Sequence, residues 1–329
     1  MDVPDAFDVL DENLKLDPDE RVAAQDRHAE ITETLVSAGI ASGSFLQGSF
    51  ARKTMLPPLH DIDKIIILTE AYRGQHPDRV MGAIQDAVAA VCSPVTFDRS
   101  KHAVKIDIAD DPFLFDCVPA FESDGEDDDV LIANREAPAA VDQWTRSNPR
   151  ELARRITERN QATNGRFIHQ VRMAKQAVRE LLGDSLPSLH VESIAYIAIE
   201  TVLEHPDAIA KFFEVGAELL GGEYFEPTGV DQISDRLDTA IADEAKLAFT
   251  NAAKRAHEAI DLAAAGDHNE AIRVWATMFG DVFPPAPPQS ANSAVEKLTR
   301  GGSVTSAAAV SATRAGRTPA PTTRSWRLA

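Results

Sequence analysis

Two aspartates separated by one residue, Asp61 and Asp63, stand directly before the unbroken apolar run of residues 65–68. Side chains two positions apart on a β-strand point to the same face, so these carboxylates lie side by side and repel each other. A divalent cation such as Mg²⁺ relieves that repulsion, because carboxylate oxygens are the ligands it prefers. The pattern predicts a metal-binding pair at the start of a buried strand.

A small-residue turn, Gly48 and Ser49, precedes the aspartate pair by eleven intervening residues. A glycine lets the backbone approach a ligand closely. We predict that Ser49 caps a short helix over residues 50–56, and a helix N-terminus is a ready phosphate site. Phosphate binding beside a two-carboxylate metal site indicates nucleotidyl transfer.

Two later aspartates compete for the place of a third metal ligand. Asp107 shares its predicted strand face with a lysine, which is typical of the solvated side of a strand. Asp116 instead has apolar neighbours on its face, where an unpaired carboxylate is unfavourable. We therefore predict Asp116 as the third ligand, with Asp107 as the alternative, and we expect the strand to end at Pro119.

A helix predicted over residues 166–182 carries five basic side chains at spacings of three and four, with no acidic residue among them: Arg166, His169, Arg172, Lys175 and Arg179. Residues at this spacing lie on one stripe. Such a stripe is either a solvated face or, in a chain this acidic, an anion-binding surface. Lys175 is the member predicted to reach a triphosphate as a point charge.

The composition of the 329-residue chain is that of an ordinary globular protein, with 44% hydrophobic and 26% charged residues. Its formal net charge of −19 disfavours non-specific binding to duplex nucleic acid and favours small nucleotide substrates. The two cysteines make neither a disulfide framework nor a zinc site. Without a secretory signal or an apolar run of membrane-spanning length, we expect a cytoplasmic protein that does not enter a membrane.

The order of predicted elements indicates an α+β fold, because helices and strands alternate at first and the pattern turns helical beyond residue 130. Residues 1–145 form the first predicted part and include an N-terminal helix, residues 146–284 form a helical lobe, and residues 285–329 form a flexible basic tail rich in proline and alanine. The expected helices cover residues 17–38, 77–91, 149–160, 166–182, 206–220, 233–265 and 269–279, with one more helix, capped by Ser188, that continues to residue 203.

The glycine–serine turn together with the Asp-x-Asp pair resembles the DNA polymerase beta-like nucleotidyltransferase superfamily. When the segments that begin at Trp144, Leu186 and Ala271 are included, the chain resembles the bacterial cGAS/DncV-like nucleotidyltransferases (CD-NTases). These enzymes are the oligonucleotide cyclases of anti-phage (CBASS) defence systems. The resemblance spans roughly residues 15–285.

This resemblance implies a bilobal enzyme in which a mixed sheet carries the metal site and a helical lobe closes over the nucleotides. Such an enzyme joins nucleoside triphosphates, such as ATP or GTP, into a cyclic di- or trinucleotide and releases pyrophosphate. The bases, the ring size and the 2′ or 3′ linkage are left open. The roles implied are donor triphosphate binding for Gly48 and Ser49, binding of two Mg²⁺ ions (or Mn²⁺) for Asp61, Asp63 and Asp116, and contact with the donor phosphates for Lys175 and Ser188.

The resemblance also bears on partners and on alternatives. Ubiquitin-like conjugation enzymes attach some family members through their C-terminal residue, and the end of this chain at Ala329 is compatible with that. We expect a monomer that needs no duplex nucleic acid, since the zinc ribbon and basic surface of the DNA-sensing relatives are missing from the sequence. The competing interpretations are an antitoxin-type or small-molecule nucleotidyltransferase and a catalytically inactive nucleotide-binding module.

Overall fold

The computed structural model describes residues 1–109, 111–123, 129–138 and 143–287, and residues 1–286 form one compact unit. The helices are α1 (Val3–Asn13), α2 (Pro18–Ser37), α3 (Gly48–Arg52), α4 (Pro77–Ala89), α5 (Pro149–Ala162), α6 (Arg166–Leu182), α7 (Ser188–Ala198), α8 (His205–Leu219), α9 (Thr239–Ala264) and α10 (His268–Phe279). The strands are β1 (Ala41–Leu46), β2 (Asp61–Leu68), β3 (Val95–Arg99), β4 (Val104–Ile108), β5 (Leu114–Glu122), β6 (Val130–Ala133) and β7 (Trp144–Ser147). Short 3₁₀ turns cover Glu70–Tyr72, Ile233–Arg236 and Gly280–Val282.

The strands form one mixed sheet with the order β1-β2-β5-β4-β3, to which β6 is added by pairing with β5, and β7 by pairing with β6. Strands β2 and β5 run parallel and the other pairs run antiparallel. Helices α2 and α4 pack on the sheet face that carries Ile62, Ile66 and Cys117, and together they bury one core. The opposite face has only a small apolar cluster around Ile65 and Val118, which leaves room there for polar side chains.

A second and larger core joins the helices that follow the sheet, and the first helix belongs to it. Helix α1 starts with a capping box between Asp2 and Asp5 and buries Phe7 completely. The Phe7 ring meets the rings of Trp275 and Phe279 edge-on, with centroids 5.0 and 5.6 Å apart. Although α1 lies within the predicted first part of the chain, residues 1–145, it packs with the helical lobe.

The predicted fold class, a mixed sheet followed by a helical lobe, is confirmed, and most predicted helices are present. The helix expected over residues 166–182 has those bounds, and those expected from residues 77 and 149 begin where predicted. In the described residues no helix has both the length and the apolar character needed to cross a membrane. The predicted tail lies outside the described residues from residue 288 onward, so conjugation at Ala329 stays a prediction.

The predicted end of β5 at Pro119 is wrong, because the strand continues to Glu122. Its neighbour β4 pairs with it only as far as Cys117, and β6 takes over at Ala120. On this edge of β5, Pro119 lies in the gap between the pairing with β4 and the pairing with β6, while on the other edge it is the register partner of Ile66 in β2.

The expectation that the pattern turns helical beyond residue 130 is wrong for the first part of that stretch. Two short strands, β6 and β7, pair with each other and extend the sheet before α5 begins. A short apolar run fits a strand or a helix equally well by periodicity, and here pairing with β5 decides between them. Two predicted helices differ most from the structure: α7 ends at Ala198, and the helix expected over residues 233–265 is a 3₁₀ turn followed by α9, which Asp238 caps.

Candidate active site

The register between β2 and β5 groups the three predicted acids. Asp63 lies directly opposite Asp116 in the parallel pairing, and Asp61 precedes Asp63 by two residues. Register partners in parallel strands share a face, so all three side chains belong to the same face of the sheet. Asp107, the alternative third acid, lies opposite Leu114 and is exposed.

The electrostatic environment of these acids is repulsive. Burial raises the pKa of Asp63 above its usual value, and the neighbouring Asp116 raises it further, while Arg52 opposes the shift. Burial likewise raises the pKa of Asp116, with Lys105 acting against it and Asp61 with it. A raised carboxyl pKa means that the ionised form is disfavoured, so a positive charge bound on this face would relieve the strain.

The acids suit a divalent cation by donor type and by their repulsion, but their oxygens do not converge in this conformation. Among the residues that the structure describes, no group of three or more His, Cys, Asp or Glu side chains is arranged to hold a metal ion. The Asp63 carboxylate lies against Gly48, where an added β-carbon would stand 1.8 Å from its Oδ2 atom. The strand register supplies the backbone positions, and rotation of the side chains would have to bring the oxygens together.

The glycine–serine turn differs from its prediction in one respect. Helix α3 begins at Gly48, which has a φ of +67°, so Ser49 lies inside the helix and Gln47 occupies the N-cap position. The predicted cap by Ser49 is therefore wrong, and the helix ends at Arg52, not at residue 56. The backbone N–H of Gln47 donates to the carbonyl oxygen of Asp63 at 2.9 Å, which fixes the turn to β2.

A cleft of about 390 Å³ lies between the turn region and helices α6 and α7. Four of the predicted residues line it: Ser49, Asp61, Lys175 and Ser188. The volume lies in the range of small-molecule sites. Gly48, Asp63 and Asp116 are not part of its lining, although Gly48 adjoins Ser49 and Asp63 follows Asp61 by two residues. Ser188 is the first residue of α7 and Pro187 occupies its N-cap position, so the predicted cap by Ser188 is wrong.

The basic stripe on α6 is neither a solvated face nor a free anion-binding surface, because four of its members are paired with acids from other parts of the chain. Arg166 pairs with Glu204, His169 and Arg172 with Asp11, and Lys175 with Glu192. The fifth member, Arg179, is exposed, lines the cleft and donates to Gln176. Arg179 is the basic residue of the stripe that is best placed to meet a bound anion.

Sequence reasoning missed a buried polar network centred on Glu192. The Glu192 Oε1 atom accepts from Lys175 Nζ at 2.6 Å and from Thr54 Oγ1 at 2.7 Å, and its Oε2 atom accepts from Arg52 Nε at 2.7 Å. Burial alone would raise the pKa of Glu192, but Arg52 and Lys175 lower it to about 2. The available signal was an acidic residue one position after Val191 and two before Ile194 in a predicted helix, because a charge buried there needs a partner.

The network changes the interpretation of Lys175. Its side chain is buried, which lowers its pKa, and the attraction of Glu192 partly offsets that shift. Hydrogen bonds to Glu192 and, at 3.4 Å, to Thr54 occupy two of the three donors of the ammonium group. Only the third N–H can serve a phosphate, so contact between Lys175 and a triphosphate stays a prediction.

Comparison with known proteins identifies relatives of the whole globular part. Residues 1–160 match the family model described as "Second Messenger Oligonucleotide or Dinucleotide Synthetase domain". A probable cyclic nucleotide synthase of Bacillus cereus (strain VD146) is 24% identical to this chain, and the similarity covers 72% of this chain and 81% of that protein.

Two solved structures share the architecture. The structure of E. coli MS115-1 CdnC with ATP has a TM-score of 0.67 at 17% identity and covers 86% of this chain and 99% of CdnC. The CD-NTase CdnG of Bradyrhizobium diazoefficiens in complex with GTP has a TM-score of 0.66 at 13% identity, covering 84% and 94% of the two chains. At these identities the matches show that the chain has the CD-NTase fold, as the sequence predicted.

Proposed function

We propose that this chain, whose residues 1–160 match the model of a second messenger oligonucleotide or dinucleotide synthetase domain, joins nucleoside triphosphates into a cyclic di- or trinucleotide, with release of pyrophosphate, in anti-phage defence. The observation that carries the proposal is the alignment of Asp63 with Asp116 across β2 and β5, on the face that also holds Asp61. ATP and GTP, which the two structural relatives hold, are the substrate candidates.

The proposed chemistry assigns a task to each group of residues. Gly48 lets the Asp63 carboxylate lie directly against the backbone of the turn. Ser49 lines the adjoining cleft, where the donor triphosphate binds. Arg179 and the third N–H of Lys175 bind the phosphate oxygens, which holds the donor in line for attack. Asp116 orients the acceptor hydroxyl by accepting its hydrogen bond.

A divalent metal belongs to this proposal, with Mg²⁺ or Mn²⁺ as the ion and Asp61, Asp63 and Asp116 as the residues that would hold it. When bound, it supplies positive charge to the attacking and leaving oxygens of the transfer. The chain's own contribution is the fixed strand register, which keeps the three acids on one face before substrate arrives.

The test is turnover of radiolabelled ATP, GTP, CTP and UTP by the purified protein with Mg²⁺ or Mn²⁺, with the products separated by chromatography. We expect a cyclic product from the wild type and none from the Asp61→Ala/Asp63→Ala double variant. Loss of one acid should remove on the order of 3 kcal/mol of transition-state stabilisation. Asp116→Ala should therefore be close to inactive, and its unfolding free energy should be no lower than that of the wild type, because the variant removes a carboxylate that repels Asp63.

The matched control is Asp107→Ala. Asp107 is exposed and lies on β4 two positions after Lys105, which is the register partner of Asp116. This variant should retain wild-type turnover. Equal activity of the Asp116 and Asp107 variants would contradict the site. Label transferred to a protein would indicate the antitoxin-type reaction instead, and the absence of nucleotide turnover would indicate a binding module.

A further inference from the structure

The carboxylate of Glu192 joins three helices that each contribute to the wall of the cleft. It is 0% exposed and holds Arg52 of α3, Lys175 of α6 and Thr54, which follows α3, with three contacts of 2.6 to 2.7 Å. The network thus connects the segment after the glycine–serine turn with the helical lobe. A single side chain is the common acceptor for all of these contacts.

Each of the three helices places a cleft residue one turn away from its network residue. The pairs are Ser49 and Arg52 on α3, Arg179 and Lys175 on α6, and Ser188 and Glu192 on α7. Residues three or four apart lie on the same face of a helix. The network therefore lies next to the cleft lining, to which its member Lys175 itself belongs, and a shift in it would be passed to all three cleft residues.

The network carries more positive than negative charge. Two cations, Arg52 and Lys175, share the single carboxylate of Glu192, and a surplus charge in a buried place is unfavourable without a further anion. Asp63 supplies part of the compensating negative charge, since Arg52 lowers the pKa of Asp63 and Asp63 raises the pKa of Lys175. The surplus positive charge of the network is therefore close to the predicted acids. A polyphosphate bound there would add the negative charge that the network lacks.

Stability alone is a weak reason for this arrangement, because a buried ion pair can often be replaced by packed apolar side chains without loss. We propose that Glu192 is a positioning residue for the polyphosphate of the donor nucleotide. It clamps Arg52 and Lys175 so that α3, α6 and α7 keep a fixed spacing around the cleft. This inference rests on the proposed function, and Glu192 acts through its partners without touching the nucleotide.

The test compares triphosphate and nucleoside binding to the full chain. The probes are the α,β-methylene analogues of ATP and GTP, with adenosine and guanosine as the unphosphorylated counterparts, all measured by calorimetry. Glu192→Gln keeps the side-chain size and removes the charge. We expect it to weaken binding of the triphosphate analogues about tenfold or more while nucleoside binding changes less than about twofold, and to raise the KM for the nucleoside triphosphate more than it lowers kcat.

Asp11→Asn is the matched control, because Asp11 also accepts from two basic side chains of α6, His169 and Arg172, at a place outside the cleft. Asp11→Asn should lower the unfolding free energy and leave the binding of both the triphosphate analogues and the nucleosides as in the wild type. If Glu192→Gln does not fold, Thr54→Val removes one donor to the same carboxylate at nearly constant volume. It should weaken triphosphate binding in the same direction by about threefold.

The inference is overturned if the Glu192 variant, or the Thr54 variant in its place, binds the triphosphate analogues like the wild type. It is equally overturned if nucleoside binding weakens as much as triphosphate binding, since that would indicate a general loss of structure. A wild type that binds the analogues but forms no cyclic product would refute the proposed function alone, and the binding comparison would still decide the role of Glu192.

Discussion

Gly48 and Asp63 are so close that a β-carbon on residue 48 would stand 1.8 Å from the Asp63 Oδ2 atom. The two residues are also connected through the backbone, because the N–H of Gln47 donates to the carbonyl oxygen of Asp63. The glycine–serine turn and the aspartate pair, recognised in the sequence as separate patterns, therefore form one structural unit. Any side chain at residue 48 must move the carboxylate.

Gly48→Ala should lower nucleotide turnover about 100-fold, because displacement of a reacting group by about 1 Å has an effect of this size. Its φ of +67° adds backbone strain of about 1 kcal/mol for an L-residue. Gly39→Ala is the matched control, since Gly39 has a φ of +70° and its added β-carbon would meet nothing within 4 Å. Turnover and denaturant unfolding separate the two effects, and equal turnover of both variants would contradict the coupling.

Arg179→Ala should raise the KM for the nucleoside triphosphate about tenfold and change kcat little, because it removes a cation from the cleft wall without touching the three acids. The difference between variant and wild type should shrink as salt is added, since the side chain is exposed and its charge is screened. Arg154→Ala, on the exposed face of α5, is the control and should leave KM unchanged. A wild-type KM for the Arg179 variant would remove this residue from the phosphate site.

The part of the site that was predictable from the sequence depends on local patterns. Asp61 and Asp63 begin a buried strand as predicted. The apolar neighbours of Asp116 distinguished it, which is half-buried, from Asp107, which is exposed. What the sequence could not supply is which β-strands become neighbours. The alignment of Asp63 with Asp116 is a contact between residues 53 positions apart, and only the folded sheet fixes it.

The same limit explains the errors. The basic stripe on α6 follows from helical periodicity, but its acidic partners come from α1, α7 and the residue before α8. Lys175 therefore looked free in the sequence and is buried against Glu192 in the structure. Strand β6 was missed for a related reason, because a four-residue apolar run takes its conformation from its neighbour β5.

Phe7→Ala should lower the unfolding free energy by about 3 to 5 kcal/mol, which is the usual range for a fully buried phenylalanine. The ring is enclosed by Trp275, Phe279 and Phe283, so the cavity left behind has little chance to collapse. Val9→Ala, on the same helix with 40% exposure, should change the value by less than about 0.5 kcal/mol. Similar losses in both variants by denaturant unfolding would show that α1 does not anchor the helical lobe.

Acid should destabilise the protein through His28, which lies on α2 behind β2. Burial, and then the charge of Lys64, lower the pKa of His28 to about 4 from an ordinary value of 6.5, so the unfolded chain binds the proton more tightly than the folded chain. The stabilising contribution is complete above pH 6.5 and is lost as the pH falls to 4, by about 3 kcal/mol at most. Burial also lowers the pKa values of His190 and His205, which adds loss in the same direction. The difference between the unfolding free energies at pH 7.5 and pH 4.5 should therefore be smaller in His28→Gln than in the wild type. An equal difference in the two proteins would show that His28 is protonated in the folded state as readily as in the unfolded chain.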